Sequence, residues 1–349
     1  MINYEMIVKK NKLYGLDKSK RNILIIGAAS SNNKLKTIIN PMTVSNAFKL
    51  YGNSELYEAY KTARDITDDT NVYTINCPLF TDFIEIIDDL VHYNFDFIVP
   101  ISINFRDTFI NPITNRVTYF SAYYLERLGK TNNKTILIMS DRPSNLYEDI
   151  DKYLNDMKKV YNNFIKNNNS ILGEFGSNLV FVLNNLKNNK YSHVVLAASL
   201  SVFAFDKYPS HTSYSTYFDI DYLDLRKYDS LCFYKHRPTM GYSSIEQLNN
   251  FKPTDNIYKK VLIDMVIKHV IERLDLTEFN GSLYSPYVKV KIEVKINNIM
   301  SEMMGTVFKD YEVKNITFKK TGVGVGNLII DLAITPYSLL EKINIMMEV

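Results

Sequence analysis

The chain has 349 residues, 46% of them hydrophobic and 23% charged, enough apolar material for one large core or two smaller ones, and this excludes wholesale disorder. With 41 Lys and Arg against 38 Asp and Glu, the net charge is only +3, so composition makes no case for a nucleic-acid binder. The two cysteines, Cys77 and Cys232, form neither a disulfide framework nor a metal quartet, which predicts a reducing cytoplasm as the site of synthesis.

Met1–Arg21 is polar and lacks the apolar core of a signal peptide. Within it Tyr4, Met6 and Val8 alternate with Glu5, Ile7 and Lys9 as in a strand, and a polar run, Lys10–Asn22, follows. A strand on a flexible polar tether reads as an arm, residues 1–22. Ile23–Ser30 is a buried strand that ends in small residues. After the break at Asn40-Pro41, Val44, Ala47, Phe48 and Tyr51 have helical spacing, closed by Gly52. Ser54 caps a second helix carrying Leu56, Ala59, Tyr60 and Ala63. Then come a strand over Asn71–Cys77, a helix with Phe83, Ile86, Ile87, Leu90 and Val91, and a strand over Phe95–Ser102. Tyr119–Leu128 is helical, Thr135–Ser140 a short strand, and Asn145–Ile165 a long helix with a polar loop, Lys166–Ser170, behind it. Asn178–Leu183 and His193–Leu200 are further apolar segments. The greasiest run, Val194–Phe205, is too short to cross a bilayer. Strands alternating with helices predict an α/β layer domain over residues 23–205, with a largely parallel sheet.

Tyr208–Tyr228 is rich in Tyr, Ser and Asp and has little periodicity, and it reads as a junction spanning 206–250 that includes a short strand, Leu231–Tyr234. The 26 tyrosines of the chain suit surfaces buried against partners, but an AT-rich genome yields the same excess. Ile257–Leu274 is a helix apolar nearly all round, with Lys260, Asp264, Lys268 and Glu272 as its one polar stripe at i,i+4 spacing. Phe279-Asn280-Gly281 breaks the chain and Pro286 starts another helix. There Val288, Ile292, Ile296, Ile299, Met300 and Met303 form an apolar stripe, and Lys289, Glu293, Asn297 and Glu302 face away. Val307–Phe318 and Asn327–Thr335 are strands joined by a glycine-rich turn, Gly322–Gly326. These elements predict an α+β domain over 206–335. In the last segment, 336–349, Ile343, Ile345, Met347 and Val349 fall on one face of a strand, which needs a sheet to join, in this molecule or in a neighbour.

No constellation favours catalysis, a cofactor or a metal. Gly322, Gly324 and Gly326 are followed by a strand, whereas a phosphate loop needs a helix there. Gly129-Lys130-Thr131 has the tail of a P-loop but Tyr124 at the first glycine position. Ile23–Gly27 could open a nucleotide-binding unit but lacks the second and third glycines. Ser31 and Lys34 match the start of a β-lactamase-type pattern without its middle motif. Asp88-Asp89 reads as a solvated helix face. The histidines, His92, His193, His211, His236 and His269, have no metal spacing, and His269 reads as a core residue of its helix.

The order of these features resembles that of contractile phage tail sheath proteins and related injection particles. The resemblance rests on Ile26–Ser30 with Pro41, Val44, Tyr51-Gly52, Ser54-Glu55-Leu56 and Ala59; on the helix Tyr258–Leu274; on Phe279-Asn280-Gly281 with the helix Tyr287–Met304, Gly305 and Tyr311-Glu312-Val313; and on the apolar closing strand. Between residues 100 and 250 it is weak, and the usual Arg-rich stretch before the C-terminal helices is reduced to Arg237-Pro238. The resemblance implies an outer α/β domain and a C-terminal domain of two helices and a small sheet, completed by terminal arms exchanged between subunits. Tyr4, Met6, Val8, Ile343, Ile345, Met347 and Val349 would be the exchanged strands, and Lys289 and Glu293 would face the tube. It further implies a non-enzymatic subunit of a virion tail, made in the bacterial host cytoplasm, whose partners are other copies of itself, the tail tube, the baseplate and the tail terminator, without direct nucleic-acid contact or stable membrane insertion. Two readings compete with it: an α/β nucleotide- or metabolite-binding enzyme, and another tail component such as a baseplate, neck or terminator protein.

Overall fold

The computed structural model describes residues 21–30, 35–67, 71–90, 93, 95–131, 135–141, 150–184, 191–202, 231–237, 242–246, 257–274, 285–305, 307–322 and 325–335. The chain divides into two compact units, Met1–Phe203 with Pro209–Ile257, and Ala204–Tyr208 with Tyr258–Val349.

The first unit is built on one sheet. Its strands are β1 (Ile23–Gly27), β2 (Ile38–Ile39), β3 (Val72–Asn76), β4 (Phe97–Pro100), β7 (Ile136–Ser140), β8 (Leu179–Val182), β9 (Leu231–Arg237) and β10 (Tyr242–Glu246). A separate hairpin, β5 (Thr108–Ile110) and β6 (Val117–Tyr119), follows β4. The sheet order is β10-β9-β8-β7-β4-β1-β3-β2, parallel from β3 through β9 and antiparallel at both edges. The strands are greasy on both faces because helices cover both. Leu24, Ile26, Tyr73, Ile98, Met139 and Phe181 join a core with residues of α3 (Phe80–Leu90), α4 (Phe120–Thr131) and α5 (Ile150–Phe175). The alternate residues Ile23, Ile25, Val99, Ile138 and Val182 are buried on the opposite face, where α2 (Glu55–Ile66) and α6 (Ser192–Val202) lie. A short helix, α1 (Val44–Tyr51), packs on α2. Caps set the starts of these helices: the Thr43 hydroxyl accepts from Asn46 N and the Ser54 hydroxyl from Tyr57 N.

Three local expectations change here, and one apolar segment left open between helix and strand resolves. The polar run through Asn22 ends in two buried residues, with Arg21 donating to the Leu200 carbonyl and Asn22 N to Asp96 Oδ2 at 2.7 Å. The expected loop Lys166–Ser170 is a kink inside α5: Asn168 leaves helical geometry (φ −126°, ψ 22°), and its side-chain amide returns to the Phe164 carbonyl at 2.9 Å. His193–Leu200 forms α6, a helix enclosed by the sheet and α2 and therefore apolar all round. His269 is half-buried rather than in the core.

The second unit contains α7 (Ile257–Leu274), α8 (Pro286–Met303) and a ribbon of two long strands, β11 (Asp310–Gly322) and β12 (Val325–Thr335). Ser285 caps α8 by accepting from Val288 N, with Pro286 in the first turn. The α8 stripe Ile292, Ile296, Ile299, Met300 and Met303 is buried with Val266, Val270 and Leu274 of α7, and with Phe308 and Ile316. Lys260 and Asp264 form the expected i,i+4 pair at 2.9 Å, and Arg273 reaches Glu302 from α7 to α8, also at 2.9 Å. Register slips between Val313 and Asn315. Before the slip Tyr311 and Val313 pack on the core; after it Ile316 does, so a bulge keeps apolar side chains inward although their sequence spacing shifts by one.

Candidate assembly surface

In a sheet of this order the sequence in which strands are added switches sides between β1 and β4, the place where open α/β sheets take nucleotides. Among the described residues here, three backbone donors are already used. Ala28 N donates to Ser102 Oγ at 3.1 Å, Ala29 N to Asn76 Oδ1 at 2.9 Å, and Ser30 N to the Tyr51 carbonyl at 3.2 Å. Gly27 is glycine because Ile101 fills the crevice: a Cβ there would lie 2.4 Å from Ile101 Cγ1. Beside it a pocket of about 420 Å³ is lined by Ser30, Asn53, Ser54, Glu55 and Glu58, among others. Glu55 and Glu58 occupy the first turn of α2, so its positive end already faces its own carboxylates, and a phosphate would meet negative charge. The strand Ile23–Ser30 therefore has the position of a nucleotide-binding strand, with the amides of Ala28, Ala29 and Ser30 already bonded.

Two buried polar groups near this edge are structural. His193 is fully buried and bonded to the Pro100 carbonyl, and burial pushes its pKa down to about 3, so the ring is neutral. The Arg106 guanidinium pairs with Asp141, which is completely buried, through Nε at 2.9 and 2.8 Å, and with Asp156 at 2.6 Å. It ties the segment after β4 to the end of β7 and to α5. No local sequence pattern signals this clamp, because its three members lie far apart in the chain. Among the described residues, no group of three or more His, Cys, Asp or Glu side chains could hold a metal ion, and no helix is long and apolar enough to cross a membrane.

The second unit offers a different kind of surface. Among the described residues β11 pairs only with β12, so each strand has an edge without a partner strand. A two-stranded sheet is marginal by itself, and α8 supports this one. Tyr311 is the pin: its hydroxyl donates to the Asn297 carbonyl at 3.1 Å, and Lys309 N holds the end of β12 at the Thr335 carbonyl, 2.9 Å away. Past Thr335 the chain continues for residues 336–349. Ile343, Ile345, Met347 and Val349, expected from the sequence to alternate as in a strand, lie outside the described residues, as do Tyr4, Met6 and Val8 and the stretch Tyr208–Tyr228. Ser31, Lys34, His92, His211, Phe279-Asn280-Gly281 and Gly324 also lie outside them. Lys289 and Glu293 are half-buried on the flanks of α8. Its most outward line is Tyr287, Val290 and Val294, with Lys291 and Asn298, an exposed row that the polar-stripe reading missed.

The architecture is that of a sheath-like fold, a doubly wound α/β unit together with a helix-backed ribbon. The crystal structure of a sheath tail protein from Listeria innocua matches 95% of this chain and 96% of its own, with a TM-score of 0.59 and 8% sequence identity. At that identity the match establishes the shared fold alone. No protein-family model matches the sequence, and neither does any curated protein.

Proposed function

We propose that this protein is a structural subunit of a contractile tail sheath. Copies polymerise into stacked helical rings around an inner tube and contract to drive the tube through a host envelope. The observation that carries the reading is the ribbon β11–β12, long, backed by a helix and, among the described residues, without a further partner strand, in a chain whose fold matches a sheath tail protein along almost its whole length. The terminal segments supply the missing strands: Tyr4, Met6 and Val8 at one end, Ile343, Ile345, Met347 and Val349 at the other. Added strands bind through main-chain hydrogen bonds, so they demand alternation rather than a particular sequence. Each bond nets about 0.5–1.5 kcal/mol. Several per arm, repeated around a ring, hold subunits together while rigid bodies rotate.

The tube faces the α8 flank carrying Lys289 and Glu293, beside the exposed row Tyr287, Val290 and Val294. The baseplate and the tail terminator cap the two ends of the polymer. The subunit itself is not an enzyme, and the closed β1–β4 crevice fits that role. It works in the virion tail, having been made in the host cytoplasm. Negative-stain images of the purified full chain test this: tubes or rings are expected, and discrete particles at every concentration would reject it.

A further inference from the structure

The sheet of the first unit ends in a strand of only two residues. Ile38 and Ile39 of β2 pair with Ile75 and Thr74 of β3, a strand buried at all five of its positions. Around β2, residues 35–42 run along the edge of β3. Leu35 bridges to Asn76 in the parallel sense, Lys36 N donates to the Asn76 carbonyl at 3.0 Å, and the chain then reverses to pair antiparallel. Of the three non-glycine residues with positive φ among the described residues, two bracket β2: Lys36 (φ 55°) and Met42 (φ 64°). Neither is Asn or Asp, so the left-handed backbone is costly at both. Met42 is 59% exposed, so little packing offsets that cost. Ile38 leans on the core and Pro41 is buried. The other fastenings are polar. Lys36 Nζ lies 3.0 Å from Asp82 Oδ1 and also pairs with Glu85, both on α3, and Thr74 Oγ1 donates to the Ile39 carbonyl at 3.3 Å. Lys36 and Glu85 are exposed, so salt screens these pairs.

We infer that residues 35–42 are a releasable strap: they leave β3 as a unit while the rest of the sheet stays folded, and when closed they shield the edge of β3 from pairing with another copy. Two paired residues are a short ladder, and release relaxes two strained backbones at once, so this segment opens before the central strands do. What it covers is the reason to keep it closed. β3 reads Val72-Tyr73-Thr74-Ile75-Asn76, uncharged and rich in β-branched and aromatic residues. A bare edge of that composition templates pairing between chains, and a very short covering strand is one way a sheet blunts it. The ion pairs from Lys36 to α3 then set how often the strap lifts, and Met42 is the hinge at its far end.

Hydrogen–deuterium exchange of the unassembled full chain tests this. The amides of 35–42, with those of 72–77 that point away from β1, should exchange about tenfold or more faster than β4 and β7, which open only with the whole unit. Met42→Gly relieves the left-handed strain and should slow this exchange about threefold, although glycine gives the released chain more freedom. Lys36→Gln removes both ion pairs and should speed it about threefold. High salt should speed the wild type and leave Lys36→Gln unchanged. Light scattering below the melting temperature should rank association with Lys36→Gln fastest, wild type next and Met42→Gly slowest. Exchange of both stretches in step with β4 and β7, or at a rate neither variant changes, would overturn the strap. Opening that follows the variants without that order of association would overturn the shielding. The chain is read unassembled, so the sheath reading stands or falls separately.

Discussion

His193 shows at the scale of one residue what burial does to chemistry. Its ring lies under the end of β4, bonded to the Pro100 carbonyl, and burial lowers its pKa from the ordinary 6.5 to about 3. Between those values the unfolded chain binds a proton that the native state refuses. Stability is therefore full above pH 6.5 and falls as pH drops toward 3, by roughly 1.4 kcal/mol per pH unit from this group. Urea unfolding of His193→Gln, which keeps a donor for Pro100, should show a flatter loss of stability than wild type between pH 6.5 and 4.5. Equal slopes would mean the ring accepts a proton while folded. The same crevice explains why residue patterns stopped short of an answer there. Ile23–Gly27 is legible as a buried strand, but nothing local tells that Ser102 and Asn76 take its amide donors, because those partners are 74 and 47 residues away.

At the scale of elements, close approach decides where side chains cannot go. Gly129 in α4 faces Phe175 at the end of α5, and a Cβ there would lie 2.3 Å from the ring. Alanine normally gains up to about 1 kcal/mol over glycine within a helix. Here overpacking by about 1–3 kcal/mol should exceed that gain, so Gly129→Ala should lower the melting temperature. A rise would show that Phe175 swings aside freely. Helices and strands with strong periodicity were legible throughout, α2, α3, α7, α8 and the central strands among them, because each buries one face or both. What escaped was set by tertiary partners. The hairpin β5–β6 has three-residue strands that carry no period, and its anchor is an aromatic cluster from α3 and α4. In α5 the Asn-rich run reads as a loop until Asn168 is seen bonded to Phe164. In β11 the spacing from Val313 to Ile316 marks the bulge once the ribbon's register is known. On α8 the buried stripe was legible, but the outward row Tyr287, Val290 and Val294 was not, since an apolar pattern does not state which residues lack a partner.

For the whole molecule, the two units divide the work. The α/β unit has helices packed on both faces of its sheet. Among the described residues the ribbon of the second unit pairs with no further strand, and in the proposed polymer other copies complete it with residues 342–349. The most direct measurement is sedimentation and electron microscopy of the chain truncated after Glu341, beside the full chain under identical conditions. The truncated protein should melt cooperatively as a folded monomer and form no long polymers where the full chain does. Polymers of wild-type length from the truncated chain would contradict the account.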